Sequence, residues 1–127
     1  MLNILQECVA GSFAGTLTFP DVLAKLAAAG VERYHADYTR GEITYYWPDG
    51  RSEVVAAPHE AHPTGDRFDA VAVAEAVRAS QQGTHTYRDF IRKTTAAGCV
   101  GYFVQLTGRQ VQYFGRRGEA HVEKFPN

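Results

Sequence analysis

The sequence predicts an α+β protein made by internal duplication, in which a helix–helix–three-strand unit occurs twice. Three observations predict it: a self-match at a constant offset of 68 residues, the same helix-start and helix-end signals in both copies, and three β-rich segments after each helix pair. One such unit cannot cover all of its apolar surface alone. We therefore expect a two-layer α/β sandwich in which the copies are related by pseudo-twofold symmetry.

The self-match aligns residues 2–58 with residues 70–126 without a gap, and 17 of the 57 pairs are identical. Chance predicts roughly 3–5 identities in an alignment of this length. Residues 59–69 between the copies are polar and rich in turn formers. We predict one domain over residues 1–127, with a first repeat at about 2–58, a linker at about 59–69 and a second repeat at about 70–126.

Each copy starts with two helices. Apolar spacing predicts the first of them over about 2–11 in copy one and about 69–81 in copy two, with Gly11 and Gly15 weakening the former. The second helix opens with a threonine and, three residues later, an aspartate, which is typical of a helix N-cap. These pairs are Thr18 with Asp21 and Thr86 with Asp89. Gly30 and Gly98 mark the ends of these helices, because glycine readily adopts the left-handed backbone found there.

Three strands follow in each copy, from segments rich in Val, Ile, Tyr and Phe. The predicted strands are about 31–38, 42–47 and 52–56 in copy one and about 99–106, 110–114 and 119–125 in copy two.

The composition argues against a nucleic-acid-binding, membrane or disulfide-stabilised protein. The net charge is −1, so no overall positive field attracts nucleic acid or an anionic membrane. The apolar N-terminus has no preceding basic residue, and no segment reaches the ~18 apolar residues of a membrane span. Cys8 and Cys99 lie far apart without metal-ligand spacing, which favours reduced, buried thiols. We therefore expect a cytoplasmic protein.

Several segments resemble the YdfO-like family of small bacterial proteins. In copy one they are AAGVERYHAD at 28–37, the tyrosine pair at 45–46 and DG at 49–50; in copy two they are AAGC at 96–99, YFG at 113–115 and HVEKFP at 121–126. The resemblance covers nearly the whole chain and implies a two-layer α+β fold. Some family members carry the label phage envelope protein, and some lie in prophages. None of the motifs is a catalytic signature, so the resemblance implies no functional residues.

Polar side chains gather on one face of the first predicted strand. Arg33, His35 and Asp37 alternate with apolar residues and therefore share a face, and in a hairpin Glu42 and Tyr46 lie opposite them. We call these five residues the polar cluster. Together they can bind a polar small molecule or carry out acid–base chemistry. The competing interpretation is the solvated face of a sheet whose helices cover only the other side.

The linker histidines His59 and His62 have a spacing that metal ligands use on helices, yet no cysteine or further histidine–glutamate pair accompanies them. Surface histidines in a loop are the simpler interpretation. The chain also lacks a nucleophile elbow, a phosphate loop and a dinucleotide fingerprint. We predict no metal site, no cofactor and no assigned catalytic residue.

Three functional hypotheses follow. The first is a non-enzymatic module that binds a small ligand or a protein partner in a groove between the repeats, where pockets often form. A homodimer is one form of such a partner, because the outer sheet edges stay available for pairing. The second is a small enzyme that uses His35, Asp37 and Tyr46, with Arg33 orienting an anion. The third follows the resemblance and is a prophage-derived virion component.

Overall fold

The computed structural model describes residues 2–126, which form four helices and six strands. The first repeat contains α1 (Leu2–Ala14), α2 (Phe19–Ala28), β1 (Arg33–Asp37), β2 (Glu42–Tyr46) and β3 (Ser52–Ala56). The second repeat contains α3 (Ala70–Gln81), α4 (Tyr87–Ala96), β4 (Cys99–Gln105), β5 (Gln110–Gly115) and β6 (Ala120–Lys124). All elements of the second repeat except β4 begin 68 residues after their counterparts, and β4 begins two residues early. The predicted α+β fold and its duplicated unit are confirmed.

All six strands belong to one antiparallel sheet in the order β3-β2-β1-β4-β5-β6. The first strands of the two repeats, β1 and β4, are neighbours in its middle, and we call the line between them the seam. The repeats therefore share one continuous sheet, a point on which the sequence is silent.

The burial pattern identifies the side of the sheet that the helices cover. On β1, Tyr34 and Ala36 are buried, whereas the alternating residues Arg33, His35 and Asp37 are only half-buried. The buried strand residues and the buried helix residues form one hydrophobic core. We call the other side of the sheet, which none of the four helices within residues 2–126 covers, the open face.

The two repeats bury equivalent positions, as expected of a duplicated unit. The pairs of buried residues at the 68-residue offset include Leu5/Val73, Cys8/Ala76, Val22/Phe90, Tyr34/Tyr102 and Tyr45/Tyr113. Both cysteines are free and buried. The two repeats therefore contribute equivalent residues to the core on the two sides of the seam.

The helix ends follow local rules that the sequence displays. Thr18 and Asp21 form a capping box, in which the Thr18 N–H donates to the Asp21 carboxylate at 2.9 Å, and Thr86 and Asp89 repeat it. Gly30, with φ of 81°, follows the C-cap of α2 in the left-handed conformation. None of the helices within residues 2–126 is both long and apolar enough to cross a membrane.

Helix α1 is longer than the sequence indicates. The predicted end near residue 11 is wrong, because α1 continues through Gly11 to Ala14 and ends before Gly15, whose φ is 76°. The Leu17 side chain packs against Gly11 where a Cβ atom would stand. Gly11 therefore allows a close contact inside the helix and does not end it.

The strand pairing at the seam identifies the position of the pseudo-twofold axis. His35 pairs with Phe103, and these two residues are equivalents at the 68-residue offset. A residue that pairs with its own duplicate must lie beside the symmetry axis. The axis therefore passes through this pair, normal to the sheet.

One contact across the repeats breaks the symmetry inside the core. The buried Thr94 hydroxyl donates to the Phe90 carbonyl oxygen at 2.8 Å, and the Tyr38 hydroxyl donates to Thr94 Oγ1 at 2.8 Å. The equivalents of Tyr38 and Thr94 are Leu106 and Leu26, both apolar. One pair of positions thus holds two hydrogen-bonded hydroxyl groups, and the equivalent pair holds two aliphatic side chains. Both arrangements avoid a buried polar atom without a hydrogen bond.

A Gly101→Ala substitution is expected to destabilise the protein, because a Cβ atom on residue 101 would overlap the Ala36 carbonyl oxygen across the seam. We expect a loss of about 1–3 kcal/mol in the free energy of unfolding, measured by urea denaturation. Gly108→Ala is the matched control, because its Cβ would stand 3.1 Å from the Gln105 Cβ in an exposed turn. Equal losses in the two variants would contradict the close approach of β1 and β4.

Candidate functional site

The open face carries three parallel rows of side chains that run across the strands and across the seam. Each row contains one residue from each of the six strands. The central row contains Val54, Thr44, His35, Phe103, Gln112 and Val122. The basic row contains Ser52, Tyr46, Arg33, Gln105, Gln110 and Lys124. The acidic row contains Ala56, Glu42, Asp37, Gly101, Phe114 and Ala120. The rows are named for the charged residues that they carry.

All five residues of the polar cluster lie on this open face, in the first repeat. Arg33 is directly opposite Tyr46, and Asp37 is directly opposite Glu42, as the hairpin prediction requires. His35 lies between these two pairs. The cluster is therefore divided between the basic and acidic rows and does not converge on one point.

A cluster of aromatic side chains occupies the centre of the open face. The His35 ring stacks on Phe103 with ring centroids 4.7 Å apart and planes 18° apart. Phe103 also contacts Tyr46 and Phe114, with centroid distances of 6.3 and 6.4 Å. The Arg33 guanidinium lies over the Tyr46 ring, 4.4 Å from its centroid. These contacts join residues of both repeats across the seam.

The two carboxylates of the cluster already have hydrogen-bond partners. Asp37 Oδ1 accepts from the backbone N–H groups of Thr39 and Arg40, at 3.0 and 3.2 Å. Arg40 Nε donates to Glu42 at 2.7 Å, although this pair is on the surface. These contacts offset the repulsion expected between two acids on neighbouring strands. They also hold Asp37 in the turn that joins β1 to β2.

Apolar side chains extend the surface toward both outer edges. Val54 and Val122, at the two ends of the central row, keep 54% and 44% of their surface exposed. They are equivalents at the 68-residue offset and lie on β3 and β6. The central row therefore carries an apolar residue at each end and Phe103 beside the axis.

The ionisable groups on the helix side of the sheet belong to the core. Burial raises the pKa of Tyr87 to about 12, and its hydroxyl bonds that of Tyr102 at 2.7 Å. Burial also raises the pKa of the Cys8 and Cys99 thiols. A raised pKa keeps a thiol protonated near neutral pH, so these cysteines are poor nucleophiles.

Two hollows lie beside the sheet, and the first of them is lined in part by residues of the polar cluster. One is a narrow void beside Tyr38 and Tyr87, with room for about one water molecule. The other is an open cleft beside the linker histidines His59 and His62. Asp37 and Glu42 line the narrow void, whereas the other three residues of the polar cluster, Arg33, His35 and Tyr46, line neither hollow. Because β1 and β4 are bonded neighbours, the seam on the open face is a strand pair and not a groove between two sheets.

Residues 55–123 match a protein family described as protein of unknown function (DUF1398). The match covers 69 of the 127 residues, from β3 through the linker to β6. The chain belongs to the DUF1398 family. This match includes α3, α4, β4 and β5 completely and β6 up to its last residue but one, so it covers the helix pair and the half of the sheet that the second repeat contributes.

Relatives of this DUF1398 chain occur in mycobacteria. It is similar to uncharacterised proteins of Mycobacterium bovis and of two Mycobacterium tuberculosis strains, CDC 1551 and H37Rv. Each is 34% identical over 58 residues, which is 46% of this chain and 35% of the relative. The chain thus spans about a third of the length of the curated relatives that it matches.

Sequence reasoning found the polar cluster but missed its principal neighbour, Phe103. A signal was available, since Phe103 is the duplicate of His35 and a pseudo-twofold axis through the sheet brings duplicated residues together. The sequence does not reveal that the axis passes between β1 and β4 and not between two of the other strands.

Stacking on Phe103 is expected to move the His35 ring-proton NMR signals upfield, because those protons lie over the face of a neighbouring aromatic ring. Phe103→Leu keeps an apolar side chain and should return the signals toward ordinary histidine positions. Phe114→Leu removes a different ring of the same surface and should leave most of the shift in place. An unchanged His35 spectrum in Phe103→Leu would refute the stacked pair.

Proposed function

We propose that this protein is a non-enzymatic binding module whose contact surface is the open face at the seam, and that the partner on this face is a second copy of the chain. The observation that carries the proposal is the aromatic group around Phe103, which lies on the uncovered side of the sheet and joins both repeats. Aromatic and arginine side chains at the centre of a surface are typical of protein contact sites.

The shape of the surface favours a protein over a small molecule. Small ligands bind in concave sites that bury most of their surface, whereas this face is a continuous sheet with side chains in rows. Two sheets can pack face to face at about 10 Å, with their strands within about 30° of each other. A second sheet is therefore a suitable occupant.

The charge pattern favours a second copy. Two copies can meet open face to open face, related by a twofold axis that lies between them and runs parallel to the central row. This arrangement places the basic row of one copy over the acidic row of the other. Arg33 then faces Asp37 of the second copy, and Asp37 faces its Arg33. Phe103 and the two exposed valines meet their own counterparts. A twofold axis along the strands would instead bring Arg33 opposite Gln105 and place no opposite charges together between the copies, so that Arg33 would keep only the ion pair that it forms with Glu32 of its own chain.

The dimensions of the face indicate a weak dimer. Six strands about 4.8 Å apart and five residues of about 3.3 Å each give a surface of roughly 24 by 16 Å. Contact areas of this size fall below those of permanent dimers, which bury about 2,000 Å² or more in total. We expect reversible association with a dissociation constant on the order of micromolar.

The contacts of the polar cluster do not favour the alternative of a small enzyme. His35 is stacked on Phe103, and Asp37 accepts two backbone N–H groups. Membership of the YdfO-like group, a virion role and a cytoplasmic location stay predictions from the sequence. A virion role is compatible with a weak self-association surface, because repeated copies of one chain meet in such particles.

Charge reversal at the interface tests the dimer. Arg33→Asp and Asp37→Arg should each give a monomer in sedimentation equilibrium, because each brings like charges together in the proposed pair. An equimolar mixture of the two variants should form a heterodimer, since every facing pair is then of opposite charge. The double variant R33D/D37R should recover self-association.

The matched control is Arg92→Asp, a reversal on the helix side of the sheet that should leave the dimer intact. A wild-type chain that stays monomeric at several hundred times the expected micromolar dissociation constant would overturn the proposal. If both single variants form dimers, and their mixture shows no preference for the heterodimer, the interface lies on another part of the surface.

A further inference from the structure

A histidine occupies the central row of the open face, where two copies of the chain would meet. A twofold axis that runs parallel to this row brings each of its residues over its own counterpart in the second copy. His35 is the ionisable residue of the row. The other members are Val54, Thr44, Phe103, Gln112 and Val122. Two imidazole rings would therefore face each other in the dimer.

The charges around His35 nearly balance within one chain. On β1, Arg33 and Asp37 lie two positions before and after it on the same face. On β2, the ionisable diagonal neighbours are Glu42 and Tyr46, and the Glu42 carboxylate already accepts from an arginine of the β1–β2 turn. None of the ion pairs within residues 2–126 includes His35. No carboxylate of the described chain therefore holds the imidazole in its charged form.

On its other side, His35 faces a strand without charge. Phe103 of β4 is directly opposite and stacks on the ring, and the diagonal neighbours are Gln105 and Gly101. The Phe103 contact is made within one chain, so it is the same in the monomer and in the dimer. His35 is half-buried in the single chain, and a second sheet packed at about 10 Å would cover the rest. Removing water from around an imidazole favours its neutral form.

We infer, on the basis of the dimer proposed above, that His35 makes self-association depend on pH: two copies associate when both imidazoles are neutral and separate when both are protonated. Two positive charges would otherwise face each other in a surface that has lost its water, where like charges repel most strongly. Association therefore strengthens as the pH rises through the range in which histidine side chains ordinarily titrate, near about 6.5. Carboxylates ordinarily titrate near about pH 4, so the facing arginine and aspartate pairs stay charged throughout this range.

The pH dependence also distinguishes the two orientations of the twofold axis. An axis along the strands would place His35 over Phe103 of the second copy, because these residues pair across the seam. Protonation would then bring a cation against an aromatic ring, which is a favourable contact and would not weaken the dimer. Dissociation on protonation is therefore specific to the axis along the central row.

Sedimentation equilibrium of the full chain at about pH 8 and about pH 5.5, at constant ionic strength, tests this dependence. We expect the dissociation constant to be at least about tenfold larger at the lower pH, which corresponds to ~1.4 kcal/mol of repulsion. His35→Gln and His35→Phe remove the group that takes up the proton, so the ratio of the two constants should fall to about one. His121→Gln is the matched control and should keep the wild-type ratio, because His121 pairs with the buried Tyr113 on the helix side of the sheet.

A second measurement uses the unaltered chain and does not depend on how the variants fold. The NMR signals of the five histidine rings are followed against pH at one protein concentration that gives monomers and at one that gives dimers. Because association favours the neutral ring, the titration midpoint of His35 should move to lower pH in the dimer. The four histidines outside the open face should keep their midpoints. They are His59, His62, His85 and His121.

A dimer at about pH 8 whose dissociation constant is equal or smaller at about pH 5.5 would overturn the role of His35 and leave the proposed dimer in place. A His35 midpoint that is the same at both protein concentrations would have the same meaning. A chain that is monomeric at both pH values would overturn the dimer and the pH dependence together.

Discussion

Backbone hydrogen bonds between β1 and β4 hold the two repeats in one sheet, and the other features of the molecule follow from that pairing. At its two ends the Tyr38 N–H donates to the Val100 carbonyl at 3.1 Å, and the Leu106 N–H donates to the Glu32 carbonyl at 3.0 Å. Without this pairing each repeat would expose a strand edge and half of a core that is too small to be stable alone. The pairing converts two edges into the centre of a six-stranded sheet, with the helices collected on one side.

Symmetry about this pairing explains which features the two copies share and where they differ. The two capping boxes and the Tyr45/Tyr113 core pair lie away from the axis and repeat closely. Positions beside the axis meet residues of the other copy, so they can diverge as complementary pairs. His35 with Phe103, and Tyr38 with Thr94, are such pairs. The open face inherits this asymmetry, because the charged residues of the polar cluster all come from the first repeat.

Local signals in the sequence were sufficient for the elements. The threonine–aspartate caps, the glycines that end the second helices and the alternation on β1 are each encoded by residues a few positions apart, and the strands lie within two residues of their predicted bounds. The pairing of β1 with β4 joins residues 64 to 72 positions apart and has no local signal in the sequence, so the flat seam and the role of Phe103 could not be predicted. The helix end expected near residue 11 was wrong, because the packing of Leu17 against Gly11 outweighs the low helix propensity of glycine.

The central claim is the antiparallel register at the seam, and NMR distances test it most directly. Odd-numbered β1 residues form the non-hydrogen-bonded pairs of this ladder, whose Cα atoms are about 4.5 Å apart, so their Hα protons are in close contact. A strong nuclear Overhauser effect between the Hα protons of His35 and Phe103, with companions between Arg33 and Gln105 and between Asp37 and Gly101, is the predicted result. Cross-peaks within each hairpin but none between β1 and β4 would contradict it.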